Sequence, residues 1–295
     1  MDDTLDNLIS RRTINVFLVA KDVEPAFQKL GLTSMDAVFA FEAGRDLAKP
    51  SLASYRRRVQ FDAGDPLRTL FMKRYDRPPI SVQIRNWLGA HKRVSCAMKE
   101  LQVLISLSRH GVGAPRPVAC GQVWAGGFER RSFLVTEKIA DARSLEQHVP
   151  PCFEEPASPG NLQKQRQFIR HLARFIRRFH DLGYRHRDLY LAHIFRDPED
   201  RLFLIDLARA SRPVLLRRRL LVKDLAQVHY SMPARHFTQT DRLRFWLAYR
   251  GRNRLTRRDK WLIRWITAKA RRMARHTMKH GATAPFLHAA QSLTA

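Results

Sequence analysis

GYRHRDLYLAHIFRDPEDRLFLIDLARA, running from Gly183 to Ala210, is the stretch that decides the fold. It carries His186-Arg187-Asp188, and eighteen residues after Asp188 comes Asp206, closing the apolar run Leu202-Phe203-Leu204-Ile205. The residues between the two aspartates predict a hairpin. A short strand around His193-Ile194-Phe195 leads into a turn at Asp197-Pro198-Glu199-Asp200, and a second strand covers Leu202 to Ile205. Proline presets φ for such a turn and aspartate tolerates its geometry. A chain that folds back in this way brings Asp188 and Asp206 near one end of the hairpin. Phosphoryl transfer uses two such carboxylates: one orients the attacking hydroxyl and takes its proton, the other holds the magnesium ion that bridges the phosphates. Each half alone is a weak signal. His-Arg-Asp arises often by chance, and an aspartate after an apolar strand is commonly just the strand's end.

The segments upstream fall in an order that suits this pair. Gln163 to Leu182 reads as a helix, with Phe168, Ile169, Leu172, Phe175, Ile176 and Phe179 at helical spacing and Gly183 as its stop. Tyr55 to Phe61 and Leu67 to Tyr75 read as strands around the turn Asp62-Ala63-Gly64-Asp65-Pro66. Lys73 lies inside the second strand, where a lysine can reach nucleotide phosphates; Arg74 must point to the opposite face. Lys92 to His110 has a helical period, ended by Gly111, with Glu100 at the margin of its apolar stripe. A carboxylate at such a margin suits a buried cation, and Lys73 is the candidate. Residues 114–140 read as a hairpin turning at Ala125-Gly126-Gly127, and Glu137-Lys138-Ile139 is the expected link between two lobes, where backbone groups hold an adenine. The resulting domains are 1–140 and 141–295.

Other stretches say less. Ala37 to Phe41 reads as a strand before Glu42-Ala43-Gly44-Arg45, residues 76–91 as a loop with a short helix, and residues 141–162, with four prolines, as a loop or linker. After Asp206 there is no long phosphorylatable loop and no Ala-Pro-Glu. Residues 240–280 are helical in pattern and basic, with Trp246, Trp261 and Trp265 among the cations. That mixture suits either a membrane interface or a packed core with a solvated basic face.

The 295 residues are enough for two lobes with real cores, and 54 Lys and Arg against 27 Asp and Glu give a net charge of +27. This excess favours polyanionic partners: nucleic acid, an anionic membrane surface, a phosphorylated glycolipid or an acidic protein. Cys96, Cys120 and Cys152 are widely spaced, which argues against a disulfide framework or structural zinc and fits a reducing cytoplasm. The acidic start MDDTLDNLIS is unlike a signal peptide, and no apolar run has the length of a membrane span.

The ordered set Lys73, Glu100, Asp188 and Asp206 resembles the protein-kinase-like superfamily. GYRHRDLYLAHIF, LFLIDLARA, VKDLAQVHYSM and TDRLRFWLAY, with FMKRY, MKELQVLISLSRHGVGAPRPVACG and SFLVTEKI upstream, resemble its lipopolysaccharide kinase branch over roughly Tyr55 to Tyr249. That branch contains inner-core heptose kinases and 3-deoxy-manno-octulosonic acid kinases. The resemblance implies an α+β, two-lobed fold: an antiparallel sheet plus helix in the first lobe, mostly helices in the second. It implies ATP-dependent phosphorylation of an inner-core sugar hydroxyl, with ATP and Mg2+ as cofactors. Asp188 would orient the hydroxyl, Asp206 would hold magnesium, Lys73 held by Glu100 would position the phosphates, and Glu137 and Ile139 would meet the nucleotide. His193 stands where other kinases carry a second magnesium ligand, usually asparagine, and the lipopolysaccharide branch shares that histidine. The implied partners are an anionic glycolipid and, through the basic surface, an anionic membrane or an acidic protein, with a cytoplasmic location peripheral to the inner membrane. Two alternatives stand beside this: a small-molecule kinase of the aminoglycoside or choline type, and an RNA-associated kinase-like binding protein. The charge speaks against the first, because a cationic substrate needs an acidic pocket. The four filled catalytic positions speak against the second, so nucleic acid is not the expected partner.

Overall fold

The computed structural model describes residues 15–47, 53–90, 92–154, 158–280 and residue 285. The chain gathers into two compact units that divide between Ala140 and Asp141. The fold is α+β.

The first unit is built on a six-stranded antiparallel sheet in the order β1-β5-β6-β4-β3-β2. Its strands are β1 (Val16–Val19), β2 (Arg45–Asp46), β3 (Arg56–Ala63), β4 (Arg68–Asp76), β5 (Pro117–Ala125) and β6 (Phe128–Glu137). Val59, Phe61, Leu70, Met72, Phe133 and Val135 bury one face against α1 (Glu24–Lys29) and α2 (Met35–Ala40). The expected strand at Ala37 to Phe41 is therefore α2 instead. Ser34 caps it by accepting from the Ala37 amide, and Arg74 Nη1 donates to the carbonyls of Val38, Phe39 and Phe41 at its end. A cap residue and a distant arginine override a short β-like apolar run. Gly44 approaches β3 so closely that a Cβ there would lie 2.3 Å from Val59 Cγ1, so the position has a packing reason to be glycine. The helix within residues 76–91 is longer than expected, α3 (Ile80–Ala90).

Helix α4 (Cys96–Arg109) packs on β5 and β6 and brings Glu100 to the sheet. Its start is fastened twice. Ser95 accepts from the Met98 amide, and buried Glu129 accepts from the Cys96 amide at 2.9 Å and the Ser132 hydroxyl at 2.5 Å. A carboxylate at a helix N-terminus also meets the positive end of its dipole.

The second unit is mostly helical. Helix α5 (Pro159–Asp181) begins four residues before the expected Gln163, because Ser158 caps it and proline is tolerated in a first turn. Leu172, Phe175, Ile176 and Phe179 are its buried stripe. The hairpin is β8 (Ile194–Arg196) and β9 (Leu202–Leu204), joined by β7 (Arg143–Ser144) into a small antiparallel sheet. His193 is not in the strand as expected: it ends a 3-10 turn, Leu191–His193. Among the described residues three further helices follow: α6 (Arg217–Ser231), α7 (Gln239–Arg250) and α8 (Arg257–Lys279). Thr238 and Thr256 open the last two with reciprocal capping boxes to Asp241 and Asp259. Trp246 is core, whereas Trp261 and Trp265 are half exposed and in contact with each other. All three cysteines are free and buried. Among the described residues no helix is long and apolar enough to cross a membrane.

Candidate functional site

In the first unit, Lys73 and Arg74 leave β4 on opposite faces. Lys73 Nζ lies 2.6 Å from Glu100 Oε1, and the Glu100 side chain is 3% exposed against 16% for Lys73. The second carboxylate oxygen of Glu100 is buried without a hydrogen-bond partner. An ammonium is thus held by a buried anion while part of its surface stays accessible, an arrangement that offers N–H donors and positive charge to an anion. At the end of β6 the Glu137 side chain pairs with Arg116 at 3.4 Å and Arg68 at 3.6 Å. The Glu137 amide donates to the Arg116 carbonyl and the Lys138 amide to that of Thr69. These groups are committed within the unit, and half-buried Ile139 follows them.

In the second unit, the segment that carries Asp188 is held by a stripe on α6. Asp224 Oδ2 and Oδ1 accept from the amides of His186 and Arg187, both at 2.8 Å. Gln227 Oε1 accepts from the Leu189 amide at 3.0 Å, and Ser231 Oγ from that of Leu191 at 2.9 Å. Residues spaced by three and four share one helix face. One face of α6 therefore receives four amides of the loop in sequence order. The loop needs such hardware, because Arg187 sits at φ 72°, a left-handed value that costs a non-glycine residue on the order of 1 kcal/mol or more; Asp206, in the second segment, is left-handed too at φ 55°. Strain of this kind persists where surrounding contacts over-determine it.

His186 joins the two aspartate segments. Its Nε2 lies 3.0 Å from the carbonyl of Ile205, the residue before Asp206, and its Nδ1 is buried without a hydrogen-bond partner. In the neutral ring Nε2 carries the proton and donates it. Burial holds the pKa of His186 below its usual value, since charging the ring would leave a buried N–H with nothing to meet. The ring is 6.1 Å from that of Phe179 and stacks on His193 at 5.9 Å. His193 Nδ1 lies 2.7 Å from the Asp188 carbonyl, so the neutral imidazole donates there and keeps a lone pair on Nε2.

The Asp188 carboxylate is one-quarter exposed and meets two cations that sequence reasoning missed. Arg209 Nη1 donates to both of its oxygens, at 3.0 and 2.8 Å, from the 3-10 turn Leu207–Arg209 just after Asp206. Lys223 Nζ lies 3.8 Å from Asp188 Oδ1 and also donates to the Arg187 carbonyl. Burial lowers the pKa of Lys223. The segments that carry Asp188 and Asp206 are thus tied through Arg209 and through His186, even though eighteen residues separate the two aspartates. Among the described residues no group of three or more His, Cys, Asp or Glu is placed to hold a metal ion.

The family model described as the lipopolysaccharide kinase (Kdo/WaaP) family matches residues 55–249. The chain belongs to this family. Two relatives are lipopolysaccharide core heptose(I) kinases WaaP. The Escherichia coli protein is 27% identical over 77% of this chain and 87% of its own length, and the Pseudomonas aeruginosa protein is 29% identical over 67% and 76%. A 3-deoxy-D-manno-octulosonic acid kinase of Vibrio parahaemolyticus is 32% identical over 39% of this chain and 43% of its own. Among solved structures, WaaP in complex with acyl carrier protein superposes with a TM-score of 0.66 at 26% identity, over 87% of this chain and 98% of that one. As a lipopolysaccharide kinase family member the chain is a phosphotransferase.

The same unit contains a largely apolar cavity of about 750 Å³ among α6, α7 and α8, lined by Val228, Met232, Phe245, Ile263 and Ile266, with His229 in its wall. Burial lowers the His229 pKa to about 4, and burial likewise lowers those of His180 and His186. Below the free histidine pKa of about 6.5 the unfolded chain binds protons that the folded one refuses, so stability is lost as pH falls from there toward about 4, by up to about 1.4 kcal/mol per pH unit for each histidine. His171 shifts the same way, and buried Glu129, whose pKa is raised by burial, works against them, as one group against four. The expected result is a melting temperature that falls steadily from neutral pH to about pH 5. A flat profile in thermal denaturation would remove this linkage.

Proposed function

We propose that the chain transfers the γ-phosphoryl group of ATP to a hydroxyl of a lipopolysaccharide inner-core sugar, with heptose I the first acceptor to test and 3-deoxy-manno-octulosonic acid the second. The observation that carries this reading is the Asp188 carboxylate, set in a loop clamped by Asp224, Gln227 and Ser231 and flanked by Arg209 and Lys223. Heptose is put first because the heptose(I) kinases match over most of their length, whereas the octulosonic acid kinase matches over less than half.

Asp188 would accept the proton of the sugar hydroxyl and hold its oxygen in line for attack. Arg209 would orient the Asp188 carboxylate. Lys223 would set positive charge beside the transferring group. Lys73, steadied by Glu100, would hold the nucleotide phosphates. The Glu137 and Lys138 amides are already committed, so the adenine edge would be met at Ile139. Magnesium, when bound, neutralises charge developing on the phosphates; Asp206 would be its carboxylate ligand, with the Nε2 lone pair of His193 a candidate second donor. An acidic protein is the expected protein partner, by likeness to the solved WaaP complex and from the charge of +27. A location peripheral to the cytoplasmic face of the inner membrane goes with a glycolipid acceptor.

Two experiments test this. Labelled ATP offered with core lipopolysaccharides ending in heptose or in octulosonic acid, an aminoglycoside and RNA should label one of the two lipopolysaccharides; labelling of the aminoglycoside alone would move the chain to another substrate class. Asp206→Asn should lower turnover by two orders of magnitude or more, with part of the loss recovered at high magnesium. Unchanged activity at low magnesium would remove Asp206 from the metal role.

A further inference from the structure

Val214, Leu215 and Leu216 are three consecutive aliphatic residues, exposed to 67, 80 and 62%. A single exposed leucine is ordinary, but three in a row make a contiguous apolar tip. The backbone at this tip is also unusual. Leu216 occupies the left-handed region at φ 60° and is the N-cap of α6, yet no side chain caps the helix there. Its first turn holds no acidic residue and instead carries Arg217, Arg218 and Arg219, all exposed. Cations at this end oppose the helix dipole, and N-cap positions normally go to small polar residues.

The exposed apolar tip and the cationic first turn are each unfavourable in water and favourable at one kind of surface. An apolar tip enters the boundary between headgroups and acyl chains, while guanidinium groups behind it meet lipid phosphates. We infer that Val214 to Leu216 form a membrane-insertion tip, and that Arg217 to Arg219 secure it on an anionic bilayer. The inference deepens, and rests on, the proposed glycolipid acceptor.

Both ends of the tip are fastened to the catalytic segment. On one side the Arg185 amide donates to the Ser211 carbonyl at 2.8 Å, and the reverse bond is 3.1 Å. Arg212 lies over the Tyr184 ring, 4.3 Å from its centre. On the other side α6 carries Asp224, which takes the His186 and Arg187 amides. From Arg217 to Asp224 the helix rises about 10 Å. The helix rise therefore keeps Asp224, which anchors the Asp188 loop, no more than about 10 Å above the base of the tip, on the side of the chain that would face a sugar joined to a lipid headgroup.

The test is binding to vesicles of phosphatidylethanolamine and phosphatidylglycerol, compared with phosphatidylcholine alone, using the full chain. Val214→Ser/Leu215→Ser should lower the partition coefficient onto the anionic vesicles by at least about tenfold, the loss expected for withdrawing two aliphatic side chains. Leu88→Ser, at a residue 72% exposed in the first unit, should leave it unchanged. In a Leu215→Trp chain the new indole should shift to the blue on anionic vesicles and be quenched by brominated acyl chains. Equal partition of the double variant and the wild type would overturn the inference, as would an indole that stays in water while the chain remains bound. An indole that responds only to an acidic carrier protein would overturn it too, assigning the tip to a protein interface. Binding needs no turnover, so a chain that inserts yet phosphorylates no lipopolysaccharide supports the tip while overturning the acceptor.

Discussion

Asp188→Asn is expected to lower turnover by about 10²- to 10⁴-fold, the range a positioned proton acceptor contributes, while ATP affinity changes little. The substitution keeps size and shape but removes the negative charge that Arg209 and Lys223 now face at 2.8 and 3.8 Å. An amide cannot take the hydroxyl proton, and it can present its NH2 toward Arg209 where an acceptor is required. Lys73, the proposed phosphate-binding residue, belongs to a different unit of the chain and keeps its ion pair with Glu100. Single-turnover transfer separates the steps. Weak ATP binding with near-normal turnover at saturation would put Asp188 in nucleotide binding and exchange the roles of the two aspartates.

Asp224→Asn is expected to damage both fold and activity. Asp224 has no exposed surface, and its two oxygens accept from two adjacent amides, with His180 Nε2 a further partner at 3.3 Å. Asparagine offers one acceptor where two are used and turns an N–H donor toward another N–H. Leaving a buried amide unpaired costs about 1–3 kcal/mol, and each hydrogen bond to a charged acceptor is worth about 1.5–3 kcal/mol. A lower urea midpoint is the expected reading, with turnover reduced at denaturant concentrations where the variant is still folded, because the left-handed turn at Arg187 loses its anchor. Wild-type stability together with wild-type turnover would show that the loop is held by something else.

Much of this arrangement is legible in the sequence. The apolar stripe of α5, the turn at Asp197-Pro198 and the change from strand to helix period between Lys73 and Glu100 are local patterns, and local patterns survive into the fold. The pairing of Lys73 with Glu100 follows from knowing that a carboxylate beside an apolar helix face needs a cation. What was not legible depends on distant partners. The segment Ala37 to Phe41 becomes helix because Arg74, on a strand beyond it, takes its carbonyls. Arg209 looks like one more surface arginine in a chain with 54 basic residues until the 3-10 turn aims it at Asp188. The α6 stripe did leave a trace. Asp224, Gln227 and Ser231 are polar residues at helical spacing among Val222, Leu225, Ala226 and Val228, and a polar stripe within an apolar helix implies backbone donors to satisfy.

The most direct measurement is mass spectrometry of a heptose-terminated core lipopolysaccharide after incubation with the purified chain, ATP and magnesium, run in parallel with Asp188→Asn. The expected result is the mass gain of a single phosphate, mapped by fragmentation to an inner-core sugar and absent with the variant. ATP consumed with no phosphate on the saccharide, or the same mass gain with Asp188→Asn as with wild type, would contradict it.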